Sequence, residues 1–249
     1  MRPAAVEVRG LRRGRRGRWL LDGLDLRVPV GARLLIVSRP EETASTFLRV
    51  LAGLLRPAAG TVLLAGLSRG DDSAAGWARR VTYLAPEPGI YPWLSPREAL
   101  DLAARLAGYD RAERRRRIDV AIELFRLGSG VDRPISRGGT ALAQKTSLAA
   151  AVLTDPDVLL LDEPLRSVEP LERARLLSFP GRRSTVLLAS RFPASEAGLM
   201  TQVALLRDGR LAMHAPVAEL ERAGLPASLR GIEALADLRR TGLPAAASG

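Results

Sequence analysis

The chain has 249 residues, of which 47% are hydrophobic, enough to form the core of one domain with an attached lobe. Its formal net charge is +11, yet it contains a single lysine, Lys145, and a single histidine, His214. Because there is no cysteine, disulfides and cysteine metal sites are excluded, and one histidine argues against a zinc enzyme. No stretch approaches the roughly 18 apolar residues of a membrane span, and the N-terminus lacks a signal-peptide core, so we expect a soluble intracellular chain.

The positive charge raises nucleic acid and acidic lipid as partners. All but one of the 38 basic residues are arginine, a bias that coding in a GC-rich genome also produces. The two densest runs are Arg12–Arg18 and Arg114–Arg117. Runs of this kind usually form solvated faces, so phosphate contact by either run is the alternative interpretation.

Strands and helices alternate along the predicted chain. Ala5–Val8 and Leu24–Val28 read as short strands that flank a basic loop, and Arg33–Val37 reads as a buried strand. The apolar spacing within Thr43–Leu55 predicts a helix. Further strands are predicted at Gly60–Leu67, Val81–Leu84, Thr185–Ser190, Val203–Leu206 and Arg210–Met213, and further helices at Pro96–Gly108, Arg111–Leu127 and Ser147–Leu153.

A hydrophobic strand ending in two carboxylates stands out among these elements. Val158–Pro164 reads VLLLDEP, and its acidic residues are Asp162 and Glu163. This pattern is typical of nucleotide-hydrolysing P-loop proteins. Strands that alternate with helices around such a segment predict an α/β domain with a mostly parallel sheet.

Several longer stretches match one family in the same order. They are LLDGLDLRVPVGARLLIV, FLRVLAGLLRPAAGTVLLAG, YLAPEPGIYPWLSPREALDLAARLAGY, VLTDPDVLLLDEP and VALLRDGRL. Together they resemble the nucleotide-binding domain of an ABC transporter of the bacterial drug-export and lipid-export types, over Val6 to Met213. The resemblance implies an ABC-type P-loop NTPase core with an N-terminal antiparallel β part and an inserted helical lobe. It places this domain at residues 1–215, the lobe at about 93–135, and short helices with a flexible tail at 216–249.

A phosphate loop of the form G-x-x-x-x-G-K-[ST] cradles phosphates with backbone amides, a lysine and an Mg²⁺-binding hydroxyl. The resemblance aligns this loop with Ser38–Thr46, which reads SRPEETAST. Ala44 stands at the lysine position, Glu41 replaces a glycine, and a second glutamate follows it. Only Ser45 and Thr46 remain as cofactor-binding residues, so the loop is vestigial and we expect ATP to bind weakly or not at all.

The resemblance also assigns roles to the two surviving carboxylates. Asp162 and Ser45 would hold Mg²⁺, and Glu163 would polarise the attacking water as the catalytic residue. Without the lysine and glycines these groups have little to act on, which makes Glu163 vestigial too. A structural interpretation is equally available, in which Asp162 hydrogen-bonds Ser45 or the backbone and holds the strand end in place.

The remaining family loops are altered as well. The signature loop aligns with Gly139–Leu142, although the nearby sequence Ser136–Gly139 (SRGG) is an alternative that requires an insertion in the following helix. Gly139–Thr146 (GTALAQKT) is close to a phosphate-loop pattern around the sole lysine, but it does not follow a strand. The Q-loop glutamine, the switch histidine, the adenine-stacking aromatic and the D-loop aspartate align with Pro86, Arg191, Arg15 (with Trp19 nearby) and Glu169.

The resemblance therefore implies a structural or regulatory subunit, a pseudo-ATPase whose partners are ABC transmembrane subunits and a homologous nucleotide-binding subunit. It would lie in the cytoplasm on the inner face of the cell membrane, with Tyr91 and Trp93 either contacting the membrane subunits or packing inside the lobe. An active ATPase with divergent loops is one alternative. A nucleic-acid-associated ABC protein is another, which the absence of a long linker or coiled-coil insert disfavours.

Overall fold

The structure is a computed structural model, and it describes residues 3–15, 17–68, 74–128, 130–179 and 184–241. Among these residues the strands form two sheets. The first sheet is antiparallel and contains β1 (Ala4–Arg15), β2 (Arg18–Pro29), β4 (Ala59–Leu64) and β5 (Leu67–Ser68). The order of its strands is β2-β1-β4-β5.

The second sheet has six strands and is mostly parallel. It contains β3 (Arg33–Arg39), β6 (Val81–Leu84), β7 (Val158–Asp162), β8 (Thr185–Ala189), β9 (Gln202–Arg207) and β10 (Arg210–Pro216). Their order is β10-β9-β3-β8-β7-β6, and only the β9–β10 pair is antiparallel. The prediction of an α/β domain with a mostly parallel sheet is confirmed.

Helices cover both faces of this parallel sheet and form a group of their own beyond it. They are α1 (Glu42–Leu51), α2 (Ala74–Arg80), α3 (Pro96–Leu106), α4 (Arg111–Leu124), α5 (Gly139–Leu153), α6 (Pro170–Leu177), α7 (Pro193–Glu196), α8 (Ala218–Arg222) and α9 (Leu229–Thr241). Helices α3 and α4 fall within the stretch where the helical lobe was expected.

Strand β7 shows why a parallel strand here has no polar face. Val158 and Leu160 pack into the core shared with β1, β2 and α1, whereas Leu159 and Leu161 pack into the core shared with α3, α4, α5 and α9. Because both faces of a parallel sheet are covered, its central strands are continuous apolar runs. All five residues of β7 are therefore buried, and this includes Asp162 at the end of the strand.

The first basic run is not the loop that the sequence predicted. Arg12–Arg15 belongs to β1 and pairs with residues of β2, from Arg12 opposite Asp22 to Arg15 opposite Arg18, with a bulge between Arg13 and Gly14. The hairpin continues because an antiparallel ladder forms between backbone groups whatever the side chains are, provided that these reach solvent. Arg12 also pairs with Asp22 at 3.2 Å. Arg16 lies outside the described residues.

The second basic run lies in α4, where its charges are mostly paired. Arg114 contacts Asp101 of α3 at 3.2 Å, and Arg116 and Arg117 both contact Glu113 within one turn, at 2.7 and 2.6 Å. Such i,i+3 and i,i+4 pairs stabilise an exposed helix face. The run is thus an ion-paired surface of the helix.

The C-terminal segment contributes more than the short helices expected beyond residue 216. Helix α9 spans 13 residues, and its Ile232, Leu235 and Ala236 are buried in the core beneath the parallel sheet. The small-residue tail that the sequence predicts at the C-terminus lies outside the described residues. No helix in the described part of the chain combines the length and apolarity needed to cross a bilayer.

Candidate functional site

Four loops converge at one edge of the parallel sheet. In parallel neighbours the carboxyl ends of the strands meet at the same edge, which is where α/β proteins form their sites. Here β3 leads into the Ser38–Thr46 loop, and β7 ends at Asp162 and Glu163. Strand β8 leads to Arg191, and the end of β6 brings Tyr83 alongside. Sequence-distant residues are therefore assembled by strand order alone.

The phosphate-loop segment closes on itself. Ser38 is buried, its hydroxyl donates to the carbonyl of Glu41 at 3.0 Å, and it accepts the backbone N–H of Ala44 at 3.1 Å. A phosphate cradle depends on successive backbone N–H groups left free to face the anion. In this chain one of those groups is already satisfied by a serine side chain.

Of the two residues beside Ser45, Ala44 lines the cavity described below with an apolar methyl group, and Thr46 does not reach it. Ala44, at the lysine position, is 5% exposed and its methyl group packs in the core with Phe47 and Leu48. Thr46 is also buried, within α1, and it does not line the cavity described below. The structure thus brings Ser45 to the site and leaves Thr46 inside the helix.

Asp162 is held by two hydroxyl donors. Ser45 donates to its Oδ1 at 2.9 Å and Tyr83 donates to its Oδ2 at 3.0 Å, and the carboxyl is 1% exposed. Burial raises the pKa of Asp162, while these hydrogen bonds and the charge of Arg49 act in the opposite direction. The pKa of Tyr83 is raised too, first by burial and then by the neighbouring carboxylate. The hydrogen bond to Ser45 is the one that the structural interpretation expected.

Glu163 forms an ion pair with the residue at the switch position. Its carboxylate lies 2.7 Å from Nε of Arg191, and the same guanidinium is 3.6 Å from Glu41 of the phosphate-loop segment. The Glu163 contact raises the pKa of Arg191, so this side chain remains a cation. A fixed positive charge therefore sits between two carboxylates at the place where the family alignment puts the histidine.

The space among these groups is small. A cavity of about 60 Å³, enough for a few water molecules, is lined by both carboxylates of the strand end, Ser38, Ser45 and Arg191. Ser45 and Asp162 offer the oxygen ligands that Mg²⁺ prefers, but each is already used by the other or by Tyr83. No group of three metal-type side chains occurs in the described ranges. Glu41 lines this cavity and the sole lysine lies elsewhere, on α5, so the charges here are unfavourable to a phosphate group.

The signature segment lies at the start of α5, apart from this cavity. The helix begins at Gly139, and Gly139 and Thr140 are exposed. A Cβ at Gly138 would come within 2.1 Å of a methyl carbon of Leu142, so this exposed position has no room for a side chain. The sole lysine, Lys145, is on the same helix and pairs with Glu172 of α6 at 2.9 Å. It is thus occupied by a helix–helix contact.

The other aligned residues lie at the periphery. Arg15 ends β1 in the exposed hairpin, and Trp19 of β2 is half-exposed with the Arg12 guanidinium 6.0 Å from its ring centre. Pro86 follows β6, and Glu169 precedes α6. Neither these three aligned positions nor Trp19 line the cavity.

Sequence reasoning missed three contributors to the site. Tyr83 binds Asp162, Leu229 at the start of α9 lines the cavity, and Arg39 at the end of β3 pairs with Glu233 of α9 at 2.6 Å. A signal for Tyr83 existed, because it is the polar-tipped residue near the end of the predicted strand Val81–Leu84. For Arg39 and Glu233 the sequence shows only that their charges are opposite, and many other pairs of residues in the chain are equally complementary.

Comparison with known proteins agrees with this architecture. Residues 21–166, more than half of the chain, match the family model described as "ABC transporter". The chain is 31% identical over 225 residues to the daunorubicin/doxorubicin resistance ATP-binding protein DrrA of Streptomyces peucetius, which covers 87% of this chain and 67% of that protein.

Solved structures show the same fold. An ATP-binding subunit of an ABC transporter superposes with a TM-score of 0.82 at 24% identity, covering 94% of this chain and 99% of that one. The cbiO1 protein of Clostridium perfringens, part of the ABC transporter complex cbiONQ, superposes with a TM-score of 0.77 at 18% identity over 97% of each chain. The expected ABC-type core with its antiparallel β part is confirmed, and the chain belongs to the ATP-binding subunits of ABC transporters.

Proposed function

We propose that this subunit is a pseudo-ATPase: it serves its transporter as a structural or regulatory component and neither binds Mg-ATP tightly nor hydrolyses it. The observation that carries the proposal is the closed phosphate-loop segment. There the N–H of Ala44 is bonded to Ser38, and the carboxylate of Glu41 stands beside the place where phosphates would bind.

The charges at the site oppose both the binding of phosphate groups and catalysis. Fixed cations and oriented donors supply several kcal/mol of transition-state stabilisation in phosphoryl transfer. Here the lysine is absent and two carboxylates, Glu41 and Glu42, occupy the loop. Arg191, a cation that lines the cavity, is engaged by Glu163 and Glu41, which also keeps Glu163 from orienting a water molecule.

A partner surface supports a role inside a transporter complex. Tyr91 and Trp93 stack on each other with ring centres 4.9 Å apart, and their exposed fractions are 55% and 67%. They do not pack inside the lobe, which was the alternative interpretation. Exposed aromatic clusters mark protein interfaces, because water is released when they are covered. We propose that membrane-spanning subunits cover them, which places the chain on the cytoplasmic face of the membrane beside a homologous subunit.

Calorimetric titration with Mg-ATP tests the proposal. The purified chain should give no heat of binding at concentrations able to detect a dissociation constant of about 1 mM, whereas a relative with an intact phosphate loop should bind under the same conditions. Micromolar binding to this chain would overturn the proposal.

The enzyme alternative makes an opposite prediction. If Ser45, Asp162 and Glu163 still catalyse hydrolysis, steady ATP turnover will be measurable and the E163Q variant will abolish it. For the nucleic-acid alternative, retention on DNA or RNA would have to survive moderate salt, since charge-driven nonspecific binding falls steeply as counterions are added.

A further inference from the structure

The C-terminal helix α9 meets the phosphate-loop segment at two points. Leu229, its first residue, lines the cavity together with Ser38, Glu41 and Ser45. One turn later Glu233 pairs with Arg39, the residue from which the loop departs, at 2.6 Å. The buried side chains of α9 pack in the hydrophobic core, so these contacts are made by a helix that the core holds in place.

A second ion pair repeats the first on the neighbouring strand. Asp237 of α9 lies 3.2 Å from Arg207 of β9, and Arg207 is the register partner of Arg39 in the parallel sheet. Adjacent strands are about 4.8 Å apart, and i,i+4 side chains on a helix are about 6 Å apart. The two carboxylates therefore match the two arginines in spacing, and the helix lies across the ends of both strands.

The two pairs differ in what they hold. Arg207 is followed by Asp208 and Gly209 at a tight hairpin, so the Asp237 pair fastens α9 to a regular edge of the sheet. Arg39 opens the phosphate-loop segment, and its carbonyl accepts the N–H of Asp208 at 3.1 Å. Only the Glu233 pair acts on the loop itself.

We propose that α9 acts as a clasp: its contacts hold the phosphate-loop segment in an ordered conformation when no ligand is bound. In a functional phosphate loop the bound anion organises the backbone amides. In this chain the Arg39–Glu233 pair, Leu229 and the hydroxyl of Ser38 hold the same segment from inside. If α9 is displaced, the phosphate-loop segment loses these contacts. The position of the C-terminal helix therefore controls how well the loop is ordered. This inference goes beyond the proposed function and does not depend on how ATP behaves.

Hydrogen exchange in the nucleotide-free full chain tests the clasp. In the E233Q variant, which keeps the shape of the side chain and loses its charge, the amides of residues 41–46 should exchange about two- to five-fold faster. The D237N variant is the matched control: it breaks the neighbouring pair of the same helix and should leave loop exchange unchanged. The amides of Leu159–Leu161 in β7 report whether each variant is still folded.

Two results would overturn the proposal: loop exchange that stays at the wild-type rate in E233Q, or a rise of equal size in E233Q and D237N. If E233Q does not fold, R39Q breaks the same pair from the loop side and is judged by the same criteria. Calorimetric binding of ATP would refute the pseudo-ATPase proposal and leave this test standing, so the two failures are distinguishable.

Discussion

The charged residues at the site are paired with other side chains of the same chain. Asp162 accepts two hydroxyl donors, and Glu163 faces a guanidinium where a catalytic base needs a water molecule. Buried polar groups are stable only when such partners are present. Asp162 and Glu163 are thus satisfied by Ser45, Tyr83 and Arg191 and contribute to holding the strand ends together.

The raised pKa of Asp162 predicts how stability depends on pH. Burial shifts this pKa above its ordinary value of 3.8, so the contribution of the protonated carboxyl to stability is complete below that value and is lost as pH rises through the folded-state pKa. In the D162N variant that loss is absent, since an amide does not ionise and can still bond both hydroxyls. Unfolding in urea should therefore show D162N gaining stability relative to the wild type as pH rises above about 4. A difference that does not change with pH would contradict the prediction.

Among the elements, the contact between α6 and α7 concentrates charge in the interior. Arg173 of α6 lies 3.2 Å from Glu196 of α7, and the two side chains are 8% and 4% exposed. The guanidinium of Arg173 also stacks 4.6 Å from the ring centre of Phe192, the residue that follows Arg191. Burial raises the pKa of Glu196, which shows that desolvation outweighs the attraction of its partner. This pair positions the segment that carries the switch residue.

A double-mutant cycle tests this contact. The R173M variant should lose about 3 kcal/mol of unfolding free energy, because it leaves a buried carboxylate without its cation. The R173M/E196M double variant should lose clearly less, since the lone charge is removed as well. As a control, R116A breaks an exposed pair on α4 and should leave the unfolding free energy close to that of the wild type. Additive losses from Arg173 and Glu196 would contradict an ion pair that acts as a unit.

At the scale of the whole molecule, exposed aromatic groups and net charge describe what the chain can bind. The arginines of α4 are largely paired within the helical lobe, so the charge of +11 is spread over the molecule and does not form one unpaired patch there. The stacked Tyr91 and Trp93 are the more specific surface. Covering them requires a partner of matching apolar shape.

The aromatic pair can be removed without disturbing the fold. Unfolding free energy of the Y91S/W93S variant should stay within about 0.5 kcal/mol of the wild type, because both rings are more than half exposed. In cells that make the complete transporter, its recovery with the membrane fraction should fall several-fold. The matched control is L106S, which removes an apolar side chain on α3 that is 78% exposed. Equal retention of both variants would show that the aromatic pair is not the docking surface.

The sequence by itself determined the family, the order of the main elements and which residue stands at each aligned motif position. Continuous apolar runs such as Val158–Leu161 predict buried parallel strands, and the replacement of lysine by Ala44 is visible without coordinates. Both rest on local pattern, since the period of apolar residues and the identity at an aligned position are properties of the chain alone. The same reasoning predicted a loop at Arg12–Arg18, where the structure has a long hairpin, because strand pairing depends on what lies opposite.

Only the tertiary structure decided which residues meet at the site. Tyr83 reaches Asp162 across 79 residues of sequence, and Arg191 reaches Glu163 across 28. The Arg39–Glu233 contact requires the last helix to return to the end of β3. These partners meet because crossover connections bring the carboxyl ends of β6, β7, β8 and β3 to one edge, and strand order sets which ends are neighbours. Charge and residue type were readable along the chain, but proximity was a consequence of topology.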